Sequence, residues 1–316
     1  MIDDAAPPVA GRRPAIGTVL LLVAYLFLAP PVFLLAPLAL LLLFARPGTL
    51  RELMWTGVAV AGGIMIVRDL TAVSLPSRLI TAGGIIMSGT FLLCAIGLPR
   101  TTTLVRASIA VAVGLVGAVL WSADLGFTLA DLDTAVATDL KVVMDRLFAG
   151  GSADQVTLAA TQSDLVVQIF PGLIALQAFA GLALAWRWHH RVAATPLGKP
   201  PRPVGEFRFN DHLIWGAIFT LALALVPAGP EIARFAACGL VVWAGIYGVR
   251  GIAVVAVAGR RWPFPARLLL AALSLLVPPF ALGGLVSIGA ADTWVDFRRR
   301  MARTSGGSHA DGSDSP

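Results

Sequence analysis

Between Ala15 and Ala45 the chain runs for thirty-one residues without a charged side chain. A membrane-spanning helix needs about 20 apolar residues, so this run is too long for one span and short for two. Pro30 and Pro31 break it in the middle. The second proline forces the first out of the helical region, which favours a tight hairpin of two short helices over one long span, with a re-entrant element as the competing arrangement. Further apolar blocks follow at Met54 to Val67, Leu79 to Leu98, Leu104 to Trp121, Val166 to Trp186, His212 to Val226 and Ile232 to Val257. Phe264 to Val277 and Ala281 to Trp294 form a second broken pair around Pro278 and Pro279. A chain patterned this way is expected to fold as an all-α polytopic transmembrane bundle of about eight to ten membrane segments.

Charge supports lipid as the solvent and orients the chain within it. Only 13% of residues are charged against 57% hydrophobic, where a soluble domain carries about 25% charged. The net charge of +6 sits in short loops, so contact with anionic lipid explains it and a nucleic-acid partner is not expected. From Ser122 to Leu165 the chain instead carries seven aspartates against Lys141 and Arg146. Lys and Arg collect on the cytoplasmic side, so this acidic segment 122–165 is placed on the non-cytoplasmic face and the basic loop 187–211 on the cytoplasmic one. With both termini cytoplasmic, the outer loops hold Arg68, Arg78, Lys141, Arg146 and Arg234, and nineteen of the twenty-four basic residues fall on the inner side. The expected organisation is a cytoplasmic arm over 1–14, one membrane domain over 15–297 and a basic anchor with a disordered tail over 298–316.

The acidic segment reads as two helical pieces separated by Gly150 and Gly151. Thr128 with Asp131, and Ser152 with Gln155, fit the capping-box pattern. Leu132, Val136, Leu140, Val143 and Leu147 recur at intervals of three and four and make one apolar stripe. The segment is either a flap resting on the membrane or bundle, or a lid or docking surface for a partner. Small residues at four-residue spacing, such as Gly84 with Ser88 and Ala110 with Gly114, mark helix-packing faces in lipid. His189 and His190 point in different directions on a helix and read as a solvated interfacial pair.

Ionisable groups at membrane depth are costly and need a partner or a purpose. Asp292 is expected to be neutralised by Arg250 or by an arginine of the closing cluster, and Glu231 by Arg234, three residues apart on one helix. The functional alternative is a polar site where Asp292, Arg250, Gln168 and Gln177 converge. No catalytic residues are assigned, because the sequence holds no HExxH, glycine-rich phosphate loop or nucleophile elbow. Cys94 and Cys238 lie in apolar blocks, and neither a disulfide framework, a metal site nor a cofactor is expected.

From Trp121 onward the order of features resembles a family of bacterial polytopic membrane proteins, the YybS-like group or domain of unknown function 2232. The residues that carry the resemblance are Ile169, Phe170 and Pro171, then Gly205, Phe207, Phe209, Asp211, Leu213 and Trp215, then Tyr247, Gly251 and Val254. The closing run Gly289, Asp292, Thr293, Trp294, Asp296, Phe297 and Arg298 to Arg300 is the most specific part. Membership implies a bacterial inner-membrane protein, and more distantly a likeness to the substrate-binding subunits of energy-coupling-factor vitamin transporters. The family's activity is unassigned, so no catalytic role carries over. Two functions remain. One is a small-solute binding or transport-related subunit, with a cavity beneath the acidic segment lined by the polar residues above. The other is a non-transporting structural or partner subunit of a membrane assembly. The partners implied are the lipid bilayer, with either a small-molecule substrate or other membrane subunits.

Overall fold

The computed structural model describes residues 16–68, 74–148, 153–201, 203, 207, 209, 211–227, 229–259 and 262–297. Those residues form eleven α-helices and no strand: α1 (Ile16–Leu28), α2 (Val32–Phe44), α3 (Leu50–Arg68), α4 (Leu75–Gly97), α5 (Thr103–Asp124), α6 (Leu129–Leu147), α7 (Ala153–Val192), α8 (Ile214–Leu225), α9 (Pro230–Ala258), α10 (Phe264–Leu276) and α11 (Pro278–Val295). The N-terminal arm, Gly150 to Ser152, Arg202, Gly205, Arg208, Arg260, Arg261, the basic anchor from Arg298 and the tail lie outside the described residues.

Among the described residues five helices are long and apolar enough to cross a membrane, and a sixth span results if α10 and α11, bent by 114° at the break between them, count as one. This is fewer than the eight to ten segments expected, and helix length is the reason. The stretches Gly17–Leu28, Val32–Phe44 and Asp211–Leu225 are apolar but short. Thirteen residues in α1 or α2 rise only about 20 Å, against a hydrocarbon core of about 30 Å. Pro31 is the residue preceding α2, so the paired prolines do make the turn of a hairpin.

The long helix α7 is the axis of the fold and touches each of α1 to α6 as well as α9. Its forty residues rise about 60 Å, about twice the thickness of a hydrocarbon core. Here the acidic segment departs from expectation: its second piece is not a separate helix but continues without interruption into the sixth apolar block, and Pro171 is carried inside the helix. Proline removes one i to i−4 bond, and the packed neighbours of α7 hold the remaining turns in line. The first piece follows the sequence closely. Thr128 accepts from the Asp131 amide while the Asp131 carboxylate accepts from the Thr128 amide, a complete capping box at the start of α6.

In lipid the helices gain little from leaving their solvent, so close packing must hold them. Phe33, Leu34, Met87, Phe91, Leu182 and Trp186 fill the core between α2, α4 and α7. Gly84 admits Val32 and Phe33 of the hairpin, and Gly181 lets α7 approach the Phe33 carbonyl; a Cβ would come within 2.8 Å and 2.6 Å of them. Gly83 and Gly114 face one another where α4 crosses α5, and Gly172 meets the Cys238 backbone where α7 crosses α9. The small-residue faces therefore pack as expected in α4 and α5. Gly57 and Gly63 of α3, by contrast, face open space.

Candidate functional site

The tightest helix crossing among the described glycines positions the most deeply buried charges. Where α9 crosses α11, Gly251 lies against the Leu285 carbonyl and Gly289 against the Tyr247 carbonyl, so neither position has room for a Cβ. Asp292 follows Gly289 by three residues and so shares its face of α11, while Arg250 precedes Gly251 on α9. The crossing consequently delivers the two side chains to each other. Arg250 Nε donates to Asp292 Oδ2 at 3.0 Å, and Nη2 donates to the Asp292 backbone carbonyl at 3.1 Å. Their side chains are 4% and 0% exposed.

A third group completes the arrangement, and it was not among the expected partners. Arg250 Nη1 donates to Asp211 Oδ1 at 2.9 Å, and the Asp211 side chain is 64% exposed. The Phe209 ring lies 5.1 Å from the guanidinium carbon and adds a cation–π contact. Two carboxylates thus flank one guanidinium, one deep between helices and one at the surface. The signal in the sequence was the aromatic and acidic pair Phe209 and Asp211, two residues apart just before a short apolar block. Phe209 also stacks edge-on with Tyr247, one turn from Arg250.

The other four candidate residues do not join this group. Gln168 offers its backbone carbonyl to the Cys238 thiol at 3.6 Å, and Cys238 precedes Arg250 by twelve residues on α9, about 18 Å along the axis. Gln177 uses its carbonyl to accept the Tyr25 hydroxyl at 2.8 Å, joining α7 to α1. Arg234 does not neutralise Glu231. Its two terminal nitrogens donate to both oxygens of Asp133 on α6, each at 2.6 Å, because a planar guanidinium matches a carboxylate edge-on better than a same-helix neighbour can. Glu231 remains exposed in the first turn of α9.

Two grooves among the described residues leave these side chains apart. A groove of about 530 Å³ lies between α2, α3 and α4, and another of about 370 Å³ runs along α10. Apart from Ser88 in the first, both are lined by apolar side chains, and none of the six candidate residues lines either. Neither groove is the polar-walled cavity expected beneath the acidic segment.

A second buried polar cluster sits at the C-terminal end of α7. His189 is fully buried, contrary to the solvated role expected of it, because the loop after α7 folds back and the Leu197 amide donates to His189 Nε2 at 3.0 Å. The Glu52 carboxylate holds the same loop through the Ala194 amide at 2.7 Å and also accepts from the Gly48 and Thr49 amides. Arg106 donates to the Pro99 and Thr101 carbonyls at 2.9 Å and lies over Trp186. Each of these ionisable groups satisfies backbone ends, which is work that fixes loops.

A family model described as a predicted membrane protein (DUF2232) matches residues 15–293. No curated protein and no solved structure matches the chain.

Proposed function

The chain belongs to the DUF2232 family of predicted membrane proteins, and we propose that it serves as a non-transporting partner subunit of a bacterial inner-membrane assembly. The observation that carries this is the half-covered stripe of α6. Its first half is seated, with Val136 buried and Asp133 bound to Arg234. Its second half leaves Val143, Leu147 and Phe148 exposed, with Asp139 and Asp145 exposed beside them. Uncovered apolar surface outside the hydrocarbon core carries a cost of about 25 cal/mol per Å² that a docked partner removes. Lys141 and Arg146 are exposed there as well, so the partner that fits presents an apolar ridge rimmed by residues of both charges.

In this proposal the short helices α1, α2 and α8 enter the bilayer part way and, with α10 and α11, bring the membrane segments to the upper end of the expected range. The distribution of Lys and Arg supports cytoplasmic termini and a non-cytoplasmic α6. The role is one of binding and scaffolding, without catalysis or a cofactor.

A second reading, a small-solute binding or transport-related subunit like those of energy-coupling-factor transporters, is favoured by one feature. Asp211, Arg250 and Asp292 form a line of alternating charge from the exposed surface into the bundle, the kind of intramembrane polar group that often serves a pathway. Native mass spectrometry after mild extraction separates the two. The partner role predicts a retained membrane subunit that is lost in Leu147→Asp while the chain itself stays folded. A chain released alone, with or without a retained small polar molecule, overturns it.

A further inference from the structure

The face of α6 that the bundle leaves open carries a pattern complementary to itself. Asp133, Val136 and Leu140 turn toward the bundle and are buried or half-buried. Asp139, Val142, Val143 and Arg146 share a different face, since residues three, four and seven apart line up on a helix. All four are exposed, Val142 and Val143 at 46% and 48%. Among the described residues neither Asp139 nor Arg146 forms an ion pair. The two are too far apart along the chain to pair with each other, because same-helix pairs form at three or four residues. The positions at that spacing from Asp139 are Ala135, Val136, Val142 and Val143, so no cation on α6 reaches it.

The spacing of these four residues is the same read from either end, with a charge at each end, opposite in sign, and the valines between. A copy of α6 running the other way therefore sets its Arg146 against Asp139, its Val143 against Val142 and its Asp139 against Arg146. A two-fold axis between Val142 and Val143 makes each contact twice. A copy running the same way would set Asp139 against Asp139 and Arg146 against Arg146, which repels. Two copies inserted alike in one bilayer are related by an axis along the membrane normal, and the antiparallel pair meets this condition when α6 lies along the surface. The contacts of α6 go to α4, α7 and, through Asp133, to α9, as those of a helix laid across the bundle do. We infer that the open face of α6 is a two-fold, antiparallel interface between two copies of this chain, in which Asp139 of each pairs with Arg146 of the other across Val142 and Val143. This rests on the reading of α6 as a docking face and names the partner as the chain itself.

Exchanging the charges tests this. Two differently tagged copies of the full chain are co-expressed and mildly extracted, one tag is used for capture, and the other is measured. The wild type should be recovered as a pair. Asp139→Arg leaves two cations on the face and Arg146→Asp two anions. Each replaces two attractive contacts by two repulsive ones and should lower capture of its own copy roughly tenfold. An Asp139→Arg copy expressed with an Arg146→Asp copy regains both pairs, so capture should return to the wild-type level, which also shows that both variants fold. Single variants that pair with themselves as well as the wild type does, or a mixed pair captured no better than either variant alone, would overturn the inference. A wild-type chain that carries a different membrane subunit but no copy of itself would overturn the self-pairing and leave the partner role standing, whereas a chain released alone would overturn both.

Discussion

Removing the carboxylate of Asp292 should destabilise the protein far more than removing its partner. Asp292→Asn leaves the Arg250 guanidinium between helices with its side chain 4% exposed, still facing the surface carboxylate of Asp211 and the backbone carbonyl at position 292 but without a buried counter-charge. Breaking a buried pair by deleting one partner costs about 3–5 kcal/mol. The Asp211 contact is largely in water and offsets at most about 1 kcal/mol of that, so the net cost should be about 3 kcal/mol. Arg250→Met leaves a carboxyl that can take up a proton and shed its charge, which a guanidinium cannot do. That variant should lose only about 1–2 kcal/mol. Arg250→Met with Asp292→Asn leaves no buried charge and should be no less stable than Asp292→Asn alone. The two single losses would then exceed the double by at least about 1 kcal/mol, within the range of directly contacting residues. Equilibrium unfolding of the four proteins in mixed micelles measures the cycle. Single effects that add to the double within about 0.5 kcal/mol, or an Asp292→Asn loss below about 1 kcal/mol, would refute the coupling described for α9 and α11.

Gly289→Ala should cost about 1–3 kcal/mol through the clash with the Tyr247 carbonyl, while Gly284→Ala, which meets open space, should be neutral or slightly stabilising in a thermal melt. Asp133→Asn should free the start of α6 from α9, at a cost of about 1 kcal/mol for this partly exposed pair, seen as faster alkylation of a cysteine placed at Val136. The Thr128 amide and hydroxyl hold the Asp131 carboxyl below its ordinary value. That contribution is fully present above the unfolded carboxyl value of about 3.9 and is lost as pH falls through the lowered one. A spin label at Ala130 should therefore become mobile only in strong acid, and Thr128→Ala should make it mobile at neutral pH. Glu52→Gln should loosen the loop held through the Ala194 amide, measured as faster proteolysis near Thr195 with the membrane helices still intact.

Local sequence sufficed for whatever depends on one helix and its solvent. The long apolar blocks fixed the helical class, because lipid leaves no other way to satisfy a spanning backbone. Thr128 and Asp131 specified the start of α6, because a capping box needs only its own four residues. The paired prolines specified the turn between α1 and α2. Pro171 sits inside α7, since its cost is local whereas the contacts that carry the helix straight through it come from many other helices.

Which charges meet was decided by the tertiary structure. Glu231 is the nearest acid to Arg234 along the chain, yet Asp133 takes its place, from a helix 101 residues earlier in sequence. Asp292 reaches Arg250 only because Gly251 and Gly289 let two backbones touch, and Asp211 reaches the same guanidinium only because the chain entering α8 lies beside that crossing. Hydropathy records the medium each segment prefers, one helix at a time. The pairing of buried charges depends on how far apart two helix axes come to rest, and that distance is set by packing among residues scattered across the whole chain.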